Sequence, residues 1–305
     1  MIYKSRRKSR ELFILEMLHK RMPLPDQEKN YYLSLKKGFE GELMFDALTE
    51  KLESDFLVLN DLLLKNNKTT FQIDSLIISS NKLYFYEIKN LEGDHFYETD
   101  KLFKLPKTEV PNPLFQLRRS ETLLKQLIFS LGFNLPVEGF VVFINPEFTL
   151  YQSPLNYPFL FPTQIKRYLR VLDSGSTSVI TEKHKKLADK LVELHHQTIK
   201  ENNYSNVPEY KYEDLRKGIT CAKCESFSVT IQGRSCMCIN CGNVESVTTA
   251  IIRATNEFKA LFPKEPITTN TIHHWCKIID SKKRVQRVLD SNYSIISKRK
   301  WTYYE

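Results

Sequence analysis

Phe71-Gln72-Ile73-Asp74-Ser75-Leu76-Ile77-Ile78 and Leu83-Tyr84-Phe85-Tyr86-Glu87-Ile88-Lys89, joined by Ser79-Ser80-Asn81-Lys82, are two β-rich runs around a polar turn. That is the pattern of a hairpin. With Ser80 and Asn81 at the turn, antiparallel pairing sets Asp74 opposite Glu87 and Gln72 opposite Lys89. Side chains alternate along a strand, so all four share one face. Direct neighbours on that face lie roughly 5 Å apart at Cβ. The same face continues through Leu76, Ile78, Leu83 and Phe85, and the other carries Ile73, Ile77, Tyr84 and Ile88. Apolar residues on both faces mark a central hairpin, covered on both sides. Two carboxylates held so close repel each other unless a cation or a proton lies between them. A buried acid pair is expensive unless it binds something. From the residues alone two readings stay open: a metal-dependent hydrolytic site, or a Lys89–Glu87 salt bridge at a strand end.

Composition bounds the partners. The 305 residues are 41% hydrophobic and 12% aromatic, which is globular, and long enough for two or three domains. A net charge of +9 favours anionic partners, nucleic acid above all. The basic run from Lys4 to Arg10 is followed by apolar residues interrupted by Glu11 and Glu16, an amphipathic helix and not a signal peptide. No apolar stretch reaches membrane-spanning length. A cytoplasmic protein with reduced thiols is expected.

Around the hairpin, helical periodicity covers residues 5 to 21 and roughly 26 to 53. A strand follows at Phe56 to Leu64, with a turn at Asn66-Asn67-Lys68. Residues 92 to 112, punctuated by Gly93, Pro106 and Pro111, read as irregular. Leu114 to Leu131 reads as a helix ended by Gly132, and Val137 to Ile144 as a buried strand. Helices from Pro162 or Thr163 and over Glu182 to Lys200 complete the region. The order helix, strand, strand, strand, helix, strand gives an α/β core with added helices. The expected divisions are an N-terminal helical extension (1–35), the core (36–200), a linker (201–217), a cysteine-rich module (218–247) and a basic helical module (248–305).

Further motifs sharpen the hairpin. Asp followed by a strand with Glu-x-Lys resembles the signature of the PD-(D/E)XK nuclease superfamily, whose core is restriction-endonuclease-like. More narrowly, the segment from about 36 to 145 resembles the nuclease-related domain (NERD) family. The resemblance rests on Gly38-Phe39-Glu40-Gly41-Glu42, Gln72-Ile73-Asp74, Glu87-Ile88-Lys89-Asn90 with Gly93, and Asn112-Pro113 with Gln116. Asn81 departs from the glycine that the family often has in the turn, a minor change because asparagine tolerates positive φ. The resemblance implies a bacterial metal-dependent nuclease, most readily on DNA, serving DNA processing or defence against foreign DNA. Asp74, Glu87 and the Ile88 carbonyl would hold Mg²⁺ or Mn²⁺. Such an ion polarises the phosphate and lowers the pKa of an attacking water. Lys89 would orient that water or stabilise developing charge. Glu42 would complete the coordination, or is an ordinary glutamate on an amphipathic helix. Gln116 would position water or phosphate, or decorates a helix start. His95 reads as a loop histidine, and His195-His196 and His273-His274 as ordinary helix residues.

Five of the six cysteines lie between 221 and 241, which in a reducing compartment argues for metal. Cys221-x-x-Cys224 and Cys238-x-x-Cys241 form two knuckles that close a Cys₄ zinc site resembling a zinc ribbon, with Val229, Ile231 and Gly233 supporting a hairpin between them. Four thiolates leave no open position, so the Zn²⁺ is structural. Cys236 is the less apt alternative to Cys238, and Cys276 beside Trp275 is a packing thiol.

The C-terminal region reads as helices over Ala250 to Phe262, from Thr269 or Asn270, and over Lys282 to Leu289, then a ribbon from Tyr293 to Tyr304. Lys277 to Trp301 holds eight Lys/Arg against two Asp. Lys282, Lys283, Arg284 and Arg287 on the last helix and Lys298, Arg299 and Lys300 at the ribbon tip are the candidate nucleic-acid contacts of a winged helix-turn-helix-like module. A helical protein-interaction domain is its rival. No Gly-x-x-x-x-Gly-Lys-Ser/Thr loop is present, so any ATP-driven unwinding belongs to a partner such as a helicase. Two rivals to the nuclease reading remain: a non-catalytic nucleic-acid-binding or regulatory protein on a nuclease fold, and an adaptor.

Overall fold

The computed structural model describes residues 1–175, 179–201, 206–298 and 301–305. The chain begins with β1 (Ile2–Lys4), α1 (Arg10–Arg21) and α2 (Asp26–Thr49). Next come β2 (Leu57–Asn66), β3 (Thr69–Ile78), β4 (Leu83–Lys89), β5 (Gly93–Glu98), β6 (Lys101–Lys104) and β7 (Thr108–Val110). They are followed by α3 (Pro113–Ser130), β8 (Val137–Phe143), β9 (Phe148–Tyr151), β10 (Phe159–Leu160), α4 (Pro162–Ser174) and α5 (Glu182–Glu201). The remainder is β11 (Val229–Gln232), β12 (Ser235–Cys238), β13 (Val244–Ser246), α6 (Val247–Leu261), α7 (Thr269–Cys276), α8 (Lys282–Asn292), β14 (Ile295–Lys298) and β15 (Trp301–Tyr304). Among the described residues no helix is long and apolar enough to cross a membrane.

Two compact units emerge. The first comprises Met1–Lys8 and Leu33–Ser205, the second Ser9–Tyr32 and Asn206–Glu305. In the first, a six-stranded sheet runs in the order β1-β2-β3-β4-β8-β10. β2, β3 and β4 are antiparallel, whereas β4 and β8 pair in parallel through α3, as a crossover connection requires. One apolar layer joins Leu59, Leu76 and Phe85 of the sheet to Leu117 and Leu124 of α3 and Leu187 and Leu191 of α5. A second joins Ile77, Tyr86 and Val142 to Phe45 of α2 and Ile165 and Leu169 of α4. The central hairpin is thus covered on both faces, as its double apolar pattern demands.

The hairpin keeps the expected register where it pairs: Ser75↔Tyr86, Leu76↔Phe85, Ile77↔Tyr84 and Ile78↔Leu83. Pairing ends there. Gln72 does not meet Lys89 across the ladder. Instead β3 stays with β2 (Gln72↔Leu63) and β4 stays with β8 (Lys89↔Phe143), so the two strands diverge just before Asp74 and Glu87. The face assignment also changes at Asp74. Ile73 lies in the same apolar layer as Leu76 and Ile78, not in that of Ile77. The β2–β3 ladder passes from Asn60↔Ser75 to Leu62↔Ile73, skipping Asp61, whose φ of 56° breaks the alternation.

Three other expectations are corrected. The N-terminal helix starts only at Arg10, capped by the Ser9 side chain, because Ile2–Lys4 is spent as a parallel strand beside β2. Residues 92 to 112 are not irregular: β5, β6 and β7 join β9 in a second sheet, ordered β7-β6-β5-β9. Its turn at Thr99 and Asp100 uses two non-glycine residues at positive φ, a signal that propensity alone does not carry. Finally, the N-terminal extension is no module of its own. β1 belongs to the first unit, and α1 lies in the second with the C-terminal region.

In that second unit, α1 contributes Ile14 and Leu18 to a core with Cys236, Ile251, Phe258, Trp275, Val285 and Leu289. Leu215, in the expected linker, is buried in the same core with Tyr212 packed on it. Arg21 of α1 forms a bidentate pair with Glu257 of α6, at 2.8 and 2.7 Å, and also donates to the carbonyls of Arg216 and Gly218. Its guanidinium lies 4.1 Å from the Trp275 ring centroid. The three-stranded β11–β13 sheet and α6–α8 share this one core, so the ribbon and the helical module are a single unit.

Candidate functional site

Where β3 and β4 diverge, the polar ends of the strands come together. The Ile88 N–H donates to Asp74 Oδ2 at 2.8 Å. Lys89 Nζ lies 2.7 Å from Glu87 Oε1 and donates to Gln116 Oε1 of α3 at 3.1 Å. Asn112 caps α3 by accepting from the Leu114 N–H, with Pro113 in the first turn, and this places Gln116 one turn into the helix. The sequence therefore named a set that the fold gathers: Asp74, Glu87, Lys89 and Gln116 are linked through adjacent groups.

Glu42 joins them through a residue that the sequence reading did not single out. Arg6, just beyond β1, donates to Glu42 Oε2 at 2.7 Å, to Asp46 Oδ2 and Oδ1 at 2.9 and 3.0 Å, and to the Asp74 carbonyl at 2.6 Å. Only the pairing of Ile2–Lys4 beside β2 carries Arg6 there. Nothing in the local basic run distinguishes it from Arg7 or Arg10. Asn90 ties α2 to the sheet: its side chain donates to the Lys37 carbonyl at 2.7 Å and accepts from Asn145 at 3.0 Å. Gly41 permits that approach, since a Cβ there would lie 2.5 Å from Asn90 Cβ. The Gly-Glu pair on α2 thus works as a unit, glycine for the close contact and glutamate for the charge.

Burial raises the pKa of all three carboxyls. Glu87 is pushed up to about 8 by desolvation and then by the charge of Asp74, against Lys89. Glu42 is likewise pushed up to about 8 by desolvation and Asp74, against Arg6. Asp74 is raised by desolvation, although the Ile88 N–H opposes it. Three desolvated acids, of which Asp74 raises the other two, form a site that protons or a cation must neutralise. The donor set is hard oxygen, which fits Mg²⁺ or Mn²⁺. The residues that could hold such an ion are Asp74, Glu87, the Ile88 carbonyl and Glu42, with Arg6 engaging one oxygen of Glu42 and Lys89 one of Glu87.

Beside the fork opens a cleft of about 1080 Å³. Gln72 and Lys89 line one side, Gln116, Arg119 and the exposed Phe115 of α3 another, and Lys101 of β6 a third. The second sheet, unanticipated from the sequence, thus supplies a wall of the space in front of Lys89. His95 lies on β5, not in a loop. It is buried beside Phe148 with Nδ1 3.0 Å from the Gly93 carbonyl, a packing role. His195 is buried on α5, where its Nδ1 accepts the Leu63 N–H.

Residues 37–144 match the nuclease-related domain family. The nuclease-related segment begins within α2 and ends one residue past β8. It contains Glu42, Asp74, Glu87, Lys89 and Gln116, and leaves Arg6 and the second unit outside. No curated protein matches the chain. Among solved structures, that of protein VC1899 from Vibrio cholerae aligns with 50% of this chain at 12% identity and a TM-score of 0.26. The alignment spans 36% of that protein, a likeness too loose to argue from.

In the second unit, the Sγ atoms of Cys221, Cys224, Cys238 and Cys241 all lie within 4.8 Å of one another. Two pairs, Cys221–Cys241 and Cys224–Cys238, stand at 3.6 and 3.5 Å. A tetrahedron with zinc–sulfur bonds of 2.3 Å has edges of about 3.8 Å, so four thiols so placed could bind a metal such as zinc. Among the described residues this is the sole set of three or more His, Cys, Asp or Glu side chains so grouped. Cys236 stays out of it, in the core, where burial pushes its thiol up to about 11. Cys276 is buried as expected, with its thiol pushed up to about 12.

Lys282, Lys283 and Arg287 are exposed on α8, and Arg284 is half-buried. Lys298 ends β14, and Arg299 and Lys300 lie outside the described residues. The β14–β15 ribbon pairs from Ile295↔Tyr304 to Lys298↔Trp301, and Tyr304 also bridges Ile267.

Proposed function

We propose that this protein is a metal-dependent phosphodiesterase acting on nucleic acid, DNA in the first instance, with a restriction-endonuclease-like core. The observation that carries the reading is the fork at Asp74, Glu87 and Lys89 inside the nuclease-related segment. Asp74, Glu87 and the Ile88 carbonyl would hold Mg²⁺ or Mn²⁺. When bound, such an ion supplies Lewis-acid polarisation of the phosphate. Lys89 reaches the same point from β4 and offers its ammonium to a water or to charge on the phosphoryl oxygens. Gln116 holds Lys89 and orients it toward the cleft. Arg6, itself held by Glu42 and Asp46, fixes the position of Asp74 by gripping its main-chain carbonyl. The cleft, with Lys101, Arg119 and Phe115 on its walls, has the charge and aromatic face to take a nucleotide strand. In the second unit, the Cys₄ ribbon is a structural zinc site, and α6–α8 with the β14–β15 ribbon form a winged helix-turn-helix-like nucleic-acid-binding module.

The non-catalytic reading draws on one observation: the Lys89–Glu87 ion pair occupies an oxygen that an ion would use. Incubation of wild type, Asp74→Ala and Lys89→Ala with DNA and RNA, with and without Mg²⁺ or Mn²⁺, separates the two. Metal-dependent cleavage by wild type, lost in both variants, is expected. Equal activity in all three sinks the site. Binding with no cleavage by wild type selects the non-catalytic reading.

A further inference from the structure

The second unit contains a cavity of about 410 Å³ with an arginine-rich wall. Arg284 and Arg287 of α8 line it, as expected of a basic helix. Arg234 joins them from elsewhere, the turn between β11 and β12 in the cysteine ribbon. Gly233, at φ 57°, makes that turn, and the Arg234 carbonyl accepts the Val247 N–H at 3.0 Å, which fixes the turn against the start of α6. Ser246, Thr248 and Asn292 supply polar groups around the cavity.

Among the described residues none of the three arginines has a carboxylate partner. The acid of the adjoining strand, Glu245, is taken by Arg253 at 2.6 Å. Asp290 of α8 accepts from the Tyr304 hydroxyl at 2.8 Å. Arg234 and Arg287 are exposed and Arg284 is half-buried, and three like charges lining one cavity favour an anion between them. Guanidinium forks match phosphate oxygens in geometry as well as charge. Lys282 and Lys283, prominent in the sequence, do not line the cavity.

We infer that Arg234, Arg284 and Arg287 form one phosphate pocket, which grips a single backbone phosphodiester of the nucleic acid. This deepens the functional reading above and rests on it for the identity of the ligand. It makes the ribbon more than a structural staple, because the ribbon turn supplies one of the three clamping groups.

The test uses the full-length chain carrying Asp74→Ala, zinc-loaded and with no chelator present, and measures binding of fluorescent DNA and RNA duplexes and single strands over a salt series. The triple variant Arg234→Ala/Arg284→Ala/Arg287→Ala should bind about 10- to 100-fold more weakly. One phosphate lost should make the slope of log K against log salt shallower by about 0.9. The triple lysine variant should keep the slope and lose some of the affinity, because it retains charge without the fork. Lys282→Ala/Lys283→Ala should cost less than the arginine variant. Unchanged binding in the alanine variant overturns the pocket. A slope change near three times that size, or an equal loss from the lysine pair, also overturns it, since the basic side chains then touch separate phosphates. Unchanged melting of the variants excludes misfolding as the cause. Cleavage is measured separately on the chain with Asp74 intact. Its absence, with the arginine effect present, sinks the proposed activity and leaves the pocket standing.

Discussion

Gly38 and Gly41 stand one turn apart on α2, and their surroundings differ completely. At Gly41 a Cβ would meet Asn90 at 2.5 Å and Ile144 at 3.1 Å, whereas nothing lies within 4 Å at Gly38. Gly41→Ala should therefore lower stability by about 1–3 kcal/mol, the usual cost of overpacking. Gly38→Ala should raise it by up to about 1 kcal/mol through helix propensity. Urea titration of both variants checks the pair, and equal shifts would refute the close approach. Arg6 is a second residue whose weight comes from position. It is buried between Glu42, Asp46 and the Asp74 carbonyl, and Arg6→Ala leaves desolvated acids without a partner. A loss of about 3–5 kcal/mol is expected. Arg6→Lys should recover only a fraction of it, because an ammonium cannot reproduce the forked contacts. A denaturation midpoint unmoved by Arg6→Ala would refute the network.

Among the elements, those with a strong period were legible from the sequence. The register of the paired part of the hairpin, α3 and its end at Gly132, and the order of the core all follow from alternation, turn chemistry and helix periodicity. The pair Cys221-x-x-Cys224 and Cys238-x-x-Cys241 is gathered as the spacing implied. Short strands escaped. β5, β6 and β7 are three to six residues long and turn through non-glycine positive φ, which no pattern announces. The divergence of the strands at Asp74 also escaped, because it depends on β8 and β2 drawing β4 and β3 apart, a tertiary effect. The same limit hid the buried contact between α5 and β2. There His195 Nδ1 accepts the Leu63 N–H at 3.0 Å, and burial, then the charge of Lys4, pushes its pKa down to about 4. The unfolded chain protonates this histidine near pH 6.5, the folded one only near 4. Its contribution is therefore full above pH 6.5 and is lost as pH falls through 4. Thermal melts from pH 7.5 to 4 should show wild type losing more stability over that window than His195→Asn, which starts lower. Parallel curves would contradict a neutral His195.

The molecule as a whole divides in a way that its sequence order conceals, because α1 belongs with the C-terminal region. A fragment spanning 206–305 lacks Ile14, Leu18 and Arg21, so it exposes some of the core and leaves Glu257 buried without its bidentate partner. Removing one member of such a pair costs about 3–5 kcal/mol, a large share of the stability of a unit this size. The fragment should melt well below the corresponding transition of the full chain, and joining residues 9–32 to it through a flexible linker should restore that transition. Metal removal gives a second test of the same division. The four thiols sit on the ribbon whose Cys236 and Val229 share a core with α6–α8. Metal binding at such sites is folding free energy, so chelation should loosen the ribbon and the helices together. Calorimetry of the full chain with chelator should show one transition lowered and another, that of the sheet-bearing unit, kept at its midpoint. Loss of both transitions together would mean that the two units fold as one. Loss of neither would mean that the thiols hold no metal that stabilises the fold.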